Sequence, residues 1–145
     1  MTLQFDDEND EAQATAALAG WAEQLGFRLT RNEAGGRFTL HGRYNYSIWV
    51  AGTAGFRRIV CIANFAGCKN HRDPEGKLRF ANKLNLDYNV SKVSFNSQGD
   101  LYFEFVLYVE ASLTPSLWST FFAKADDGIT WVFGRHKDEL AELID

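Results

Sequence analysis

Cys61, Cys68 and His71 stand in the middle of the chain at the spacing C-x6-C-x2-H. Thiolates and imidazoles bind zinc, but a structural zinc site closes with four ligands in tighter pairs, and this set stops at three. A nucleophilic cysteine needs a base and an electropositive surround. His71 is near Cys68 in sequence, yet no third group follows to orient it. Strand alternation turns Cys61 toward a core, so it reads as a buried small thiol and Cys68 as a loop thiol. His41 and His136 are isolated, and "AGTAG" lacks the lysine and helix start of a phosphate cradle. The expectation is a non-enzyme with no catalytic residue, no metal and no cofactor.

A second group of polar residues is more regular. In "KLRFANKLNLDYNV", Asn82, Asn85 and Asn89 fall at i, i+3 and i+7 of a helical pattern. Advancing 100° per residue places Phe80, Ala81, Leu84 and Tyr88 on an apolar arc. Arg79, Lys83 and Asp87 lie opposite, and the asparagines occupy the border beside Leu78. Asparagine is a poor residue for a helix interior, because its amide competes for backbone hydrogen bonds. Each amide offers two donors and an acceptor. The motif Ala81, Asn82, Asn85 and Asn89 therefore has two readings: it stitches the helix to exposed peptide groups of a sheet, or it recognises a polar ligand or peptide. Catalysis is not among them, since an amide has no proton to exchange near neutral pH.

Aromatic residues crowd the last 30 positions, where Trp118, Phe121, Phe122, Trp131 and Phe133 occur. One helix face of a small domain does not readily hide them all. Trp118, Phe122, Trp131 and Phe133 are candidates for an interface, the alternative being that they line one core.

The elements that must carry these groups follow from periodicity. Residues from about Asn9 to Leu25 read as a helix, with Leu18, Trp21, Ala22 and Leu25 on one face and Gly26 beyond its end. Its first turns, poor in large apolar groups, are expected to fray. Alternation then marks a strand from Phe27, the turn "NEAGG", and a long strand from Phe38 to Val50 that bends at Gly42. "FRRIVCIANFA" is apolar on both sides, as a central strand is. Asp73 and Pro74 begin the asparagine helix as N-cap and first residue. Two strands joined by "NSQGD" follow, then a helix opened by Thr114 and Pro115. Gly128 is expected to break that helix before a final amphipathic segment, "DELAELI". The order is α-β-β-β-α-β-β-α, an α+β fold with helices on an antiparallel or mixed sheet.

With 145 residues, the chain reads as one domain over 1–145, its first eight residues frayed. The formal charge of −4 and scattered Lys and Arg argue against nucleic acid. No apolar run approaches the roughly 18 residues of a membrane span. The start "MTLQFDDEND" lacks the features of a secretion signal. A cytoplasmic protein without a membrane partner is expected.

The segment "FANKLNLDYNVSKVSFNSQGDLYFEFVLYVEASLTPSLWSTFF" resembles the C-terminal core of the YbjN-type family of bacterial sensory transduction regulators. The match lies in Ala81, Asn82 and Asn85 at the helix, Gly99 and Asp100 at the strand turn, and Leu113 and Thr114 at the next helix start. "GFRLTRNEAGGRFTLHG" fits the family's first hairpin more loosely, while "GCKNHRDPEG" and "ITWVFGRH" depart from its pattern. The resemblance implies a fold similar to class I type III secretion chaperones, which are small acidic homodimers that bind extended segments of partner proteins. It implies no enzymatic activity and a regulatory role linked to motility and stress. Two functions are thus expected to compete: a homodimeric, chaperone-like protein-binding module, and a small-molecule sensory domain with a pocket between the asparagine helix and the sheet.

Overall fold

The structure, a computed structural model, describes residues 1–32, 36–66, 73–87 and 91–144. Its first half runs β1 (Leu3–Gln4), α1 (Glu11–Gln24), β2 (Leu29–Arg31), β3 (Phe38–His41), β4 (Asn45–Ala51) and β5 (Arg57–Phe65). There follow α2 (Pro74–Asp87), β6 (Lys92–Phe95), β7 (Leu101–Val109), β8 (Ser112–Leu113), α3 (Pro115–Arg135) and α4 (Lys137–Leu143). Six strands form an antiparallel sheet in the order β2-β3-β4-β5-β7-β6, and β1 pairs with β8. The fold is α+β in the expected order of helices and strands. The chain gathers into two compact units, Met1–Ile62 with Val106–Ala123 and Ala63–Phe105 with Lys124–Asp145.

In the first unit α1 is held from its first turn. Asp10 accepts a hydrogen bond from the Gln13 amide while the Gln13 side chain accepts one from the Asp10 amide, a capping box. Thr15, at 3% exposure, accepts the Val50 amide of β4 at 2.9 Å. The expected fraying is therefore absent: small and polar residues hold the helix start where large apolar ones are missing. The far end closes in a Schellman motif, Phe27 N–H on the Ala22 carbonyl and Gly26 N–H on that of Glu23, with Gly26 at φ +96°.

Residues 1–8 also differ from the expectation. Leu3 pairs with Leu113, Leu3 and Phe5 are buried, and the Phe5 amide donates to the Ala111 carbonyl. Arg57, 1% exposed, holds this segment through Nη2, which donates to the Asp6 carbonyl at 3.1 Å and the Asn9 carbonyl at 2.7 Å.

The long strand expected from Phe38 to Val50 turns back on itself at Gly42. Leu40 pairs with Tyr46 and His41 with Asn45, leaving Gly42, Arg43 and Tyr44 as the hairpin loop. His41 stabilises this end, with Nε2 2.7 Å from Thr30 Oγ1 and Nδ1 3.1 Å from Asn45 Oδ1. Beneath the hairpin lies an aromatic core in which Trp118 meets Trp21, Phe27 and Phe122 edge to face.

The second unit is built on Phe65, Phe103 and Phe133, the rings of Phe65 and Phe133 standing 4.8 Å apart. The helix opened by Thr114, whose hydroxyl accepts the Leu117 amide, runs unbroken through Gly128. Trp118, Phe122, Ala125, Ile129 and Val132 form one buried stripe along it. Burial of that stripe outweighs the roughly 1 kcal/mol cost of one helical glycine. "DELAELI" forms α4, with Leu140 and Leu143 buried.

Candidate functional site

The asparagine helix begins as the sequence suggests. The Asp73 carboxylate accepts the Gly76 amide at 2.9 Å, its carbonyl accepts the Lys77 amide, and Pro74 takes the first helical position. Gly76 lets the capping carboxylate come close, since a Cβ at that position would make the Asp73 side chain shift.

β6, at one end of the sheet order, lies along this helix. Asn85 answers the question of the asparagine file. Its amide nitrogen donates to the Val93 carbonyl at 2.7 Å and its oxygen accepts the Val93 N–H at 2.7 Å. The side chain stands in for the peptide group of a neighbouring strand. Val93 must then turn its peptide groups away from β7, and the two-residue alternation of an antiparallel ladder turns those of Phe95 the same way. Asn96, one residue beyond Phe95 and so in the opposite phase, donates its backbone amide to the Asp100 carbonyl on the β7 side. Asn96 Oδ1 also accepts the amides of Gln98 and Asp100, which fixes the β6–β7 turn.

Beyond the Asn85 bridge a cleft of about 490 Å³ opens between α2 and β6. Leu78, Ala81 and Asn82 line it from the helix, and Ser94 and Phe95 from the strand, with Asn96 just past its end. Leu78 is 62% exposed. Asn82 is exposed on the same wall, and its amide has no hydrogen bond to any described residue. The first two asparagines thus do different things: Asn85 stitches helix to strand, and Asn82 faces the opening. Asn89 lies outside the described residues, and Ala81 is buried.

Lys77 forms the deep end of the cleft. At 4% exposure it is almost wholly buried, with Nζ donating to the Gly99 carbonyl at 2.9 Å and lying 5.4 Å from the centre of the Phe95 ring. An ammonium has three donors, so two are without a hydrogen-bond partner among the described residues. Sequence reasoning missed this residue, although the signal was present: Lys77 lies on the line of Ala81 and Leu84, at i, i+4 and i+7, within the apolar arc.

The other candidates fall elsewhere. Trp118 and Phe122 are buried in the first unit's core and so are not available to a partner, contrary to the expectation for those two. Phe133 is half-buried against Phe65 and Phe103. Trp131 is 43% exposed, with the Arg135 guanidinium 5.7 Å from its ring. Cys61 is fully buried, while Cys68 and His71 lie outside the described residues. His136 is buried, its Nδ1 3.0 Å from Glu139, which also receives Lys83 of α2 at 3.1 Å. The hydrogen bond from His136, and then that from Lys83, holds the Glu139 carboxyl below the usual 4.5. Among the described residues no group of three His, Cys, Asp or Glu could hold a metal ion, and no helix is long and apolar enough to cross a membrane.

No family model and no curated protein matches the chain. Among solved structures, the chain is similar to that of YbjN from E. coli, a candidate transcription regulator, with a TM-score of 0.58 and 14% identity. The superposition covers 90% of this chain and 94% of that one. At that identity the likeness is one of architecture, and the chain carries a YbjN-type fold.

Proposed function

We propose that the chain is a non-enzymatic regulatory or chaperone-like module of the cytoplasm, homodimeric, that holds an extended segment of a partner protein in the cleft between α2 and β6. The observation that supports this most is the edge of β6. Asn85 already pairs with Val93 as another strand would, and the peptide groups of Phe95 face the same way next to an open cleft. An extended segment entering there continues the pairing that Asn85 begins, in the manner of strand addition, and lays alternate side chains against Leu78 and Phe95. Exposed Leu86 on α2 and Trp131 on α3, which do not line the cleft, supply apolar surface for assembly into a dimer.

The test compares proteins captured from a lysate by the tagged chain with those captured by its Leu78→Glu variant, using Phe56→Glu as a control at another exposed apolar residue. Partners lost with the first variant and retained with the second support the cleft. Partners indifferent to Leu78→Glu contradict it. Sedimentation of the chain over a range of concentrations tests the dimer.

The volume of the cleft favours a second reading. About 490 Å³, walled mainly by apolar groups with a few polar ones, is also the size of a small-molecule pocket. A small ligand retained by the purified chain in native mass spectrometry, and lost from the Leu78→Glu variant, would favour the sensory domain.

A further inference from the structure

We infer that the segment held in this cleft is acidic: an extended peptide with a carboxylate side chain that reaches the Lys77 ammonium while its backbone pairs along Phe95. The inference rests on the reading of the cleft as a peptide site and adds the chemistry of the occupant.

The charge of the cleft differs from that of the chain. Among the described residues its wall contains Lys77 and Lys92 and no Asp or Glu, in a chain of net charge −4. Glu104 is opposite Lys92 in strand register but is not part of that wall. A wall of one sign in a protein of the other sign selects its ligand by charge.

Lys77 is the stronger argument. Burying an ammonium is costly unless its donors are used, and among the described residues one carbonyl and one ring face are the polar partners it has. A carboxylate entering beside Phe95 takes the two remaining donors in short, charge-assisted bonds. Asn82, one turn along the helix, offers an amide to the segment's backbone, as Asn85 does to Val93. Phe95 contributes both the outward peptide groups and the ring beneath the ammonium, so the pairing register brings the carboxylate to Lys77.

Three fluorescein-labelled decapeptides test this. They share an alternating Val-Thr frame and carry two Glu, two Gln or two Lys at the same positions. Fluorescence anisotropy should show the Glu peptide binding about tenfold tighter than the Gln peptide, the effect of one charge-assisted bond. The Lys peptide should be weakest, and the Glu preference should shrink as salt rises. Lys77→Met should remove the preference, and exposed Lys92→Gln, which should fold normally, should reduce it. Equal binding by all three peptides would overturn the charge rule while leaving the peptide site standing. Binding by none would overturn both. Succinate competing as well as the Glu peptide would show that the ligand is a small acid. Cleft signals that change on simple dilution of the chain would show that a second copy fills it. Either result would contradict the inference.

Discussion

Arg57 and Lys77 are both buried cations, and neither meets a carboxylate among the described residues. Arg57, in the first unit, clamps the N-terminal segment by two carbonyls and lies by the Phe5 ring. Lys77, in the second, touches one carbonyl and one ring, at the edge of an open cleft. The same device, a cation bound to backbone oxygens, fastens a segment of the chain in one place, where Arg57 Nη1 stays buried without a hydrogen-bond partner among the described residues, and borders an open cleft in the other. A guanidinium suits the first role because the two N–H groups of one nitrogen, Nη2, reach two carbonyls in a fixed plane. An ammonium suits the second because its donors rotate to meet whatever arrives.

The largest effect should come from breaking the fastener. Arg57→Met should cost about 3 kcal/mol in urea unfolding, since it removes two hydrogen bonds to a charged donor. Hydrogen exchange at Leu3 and Phe5 should rise with it, and Arg57→Lys should restore only part of the loss. Asn85→Ala should cost about 1–3 kcal/mol, the range for leaving a buried-edge peptide group unpaired. Asn82→Ala, on the same helix line, should stay within about 0.5 kcal/mol. That contrast would separate stitching from recognition within one motif. Lys77→Met should cost about 1 kcal/mol or less, because the lost bond is offset by relief from burying the charge. A cost as large as that of Arg57→Met would make Lys77 a fastener as well, and the comparison would collapse.

The smallest effect concerns Glu139, which is half-exposed. Its folded pKa is below the usual 4.5, so its contribution to stability is present in full above about that pH and is lost as pH falls through the depressed value. Acid titration of the wild type against Glu139→Gln should show the wild type losing its advantage in that window and the two curves converging below it.

Much of this fold is legible in the sequence, and the exceptions have physical causes. The hairpin at Gly42 escaped notice because its pairing keeps even positions opposite even ones, Leu40 with Tyr46 and Phe38 with Ile48. A three-residue loop of that kind leaves the alternation in phase, so two strands read as one. Gly128 was read as a break because local propensity was weighed without the stripe that runs through it. The sequence leaves Trp118 and Phe122 open between interface and core because it does not show that Trp21, Phe27 and Tyr46 converge on them. The two cations were missed for one reason. Arg57 alternates in phase with Ile59, Cys61 and Ala63, and Lys77 stands in line with Ala81 and Leu84, so pattern and charge point opposite ways at both positions. A charged residue in phase with an apolar pattern is the sign of a buried cation, and the asparagine file marks the cleft where one of them waits.

The most direct measurement is the amide spectrum of the isotope-labelled chain titrated with the Glu decapeptide. The account predicts shifts concentrated at Ser94, Phe95 and Asn96 and at the side-chain amide of Asn82, with the Asn85 side chain and the Arg57 region unmoved. Shifts centred on another surface, or none at saturating peptide, would contradict the claim that the edge of β6 beneath α2 is the binding site.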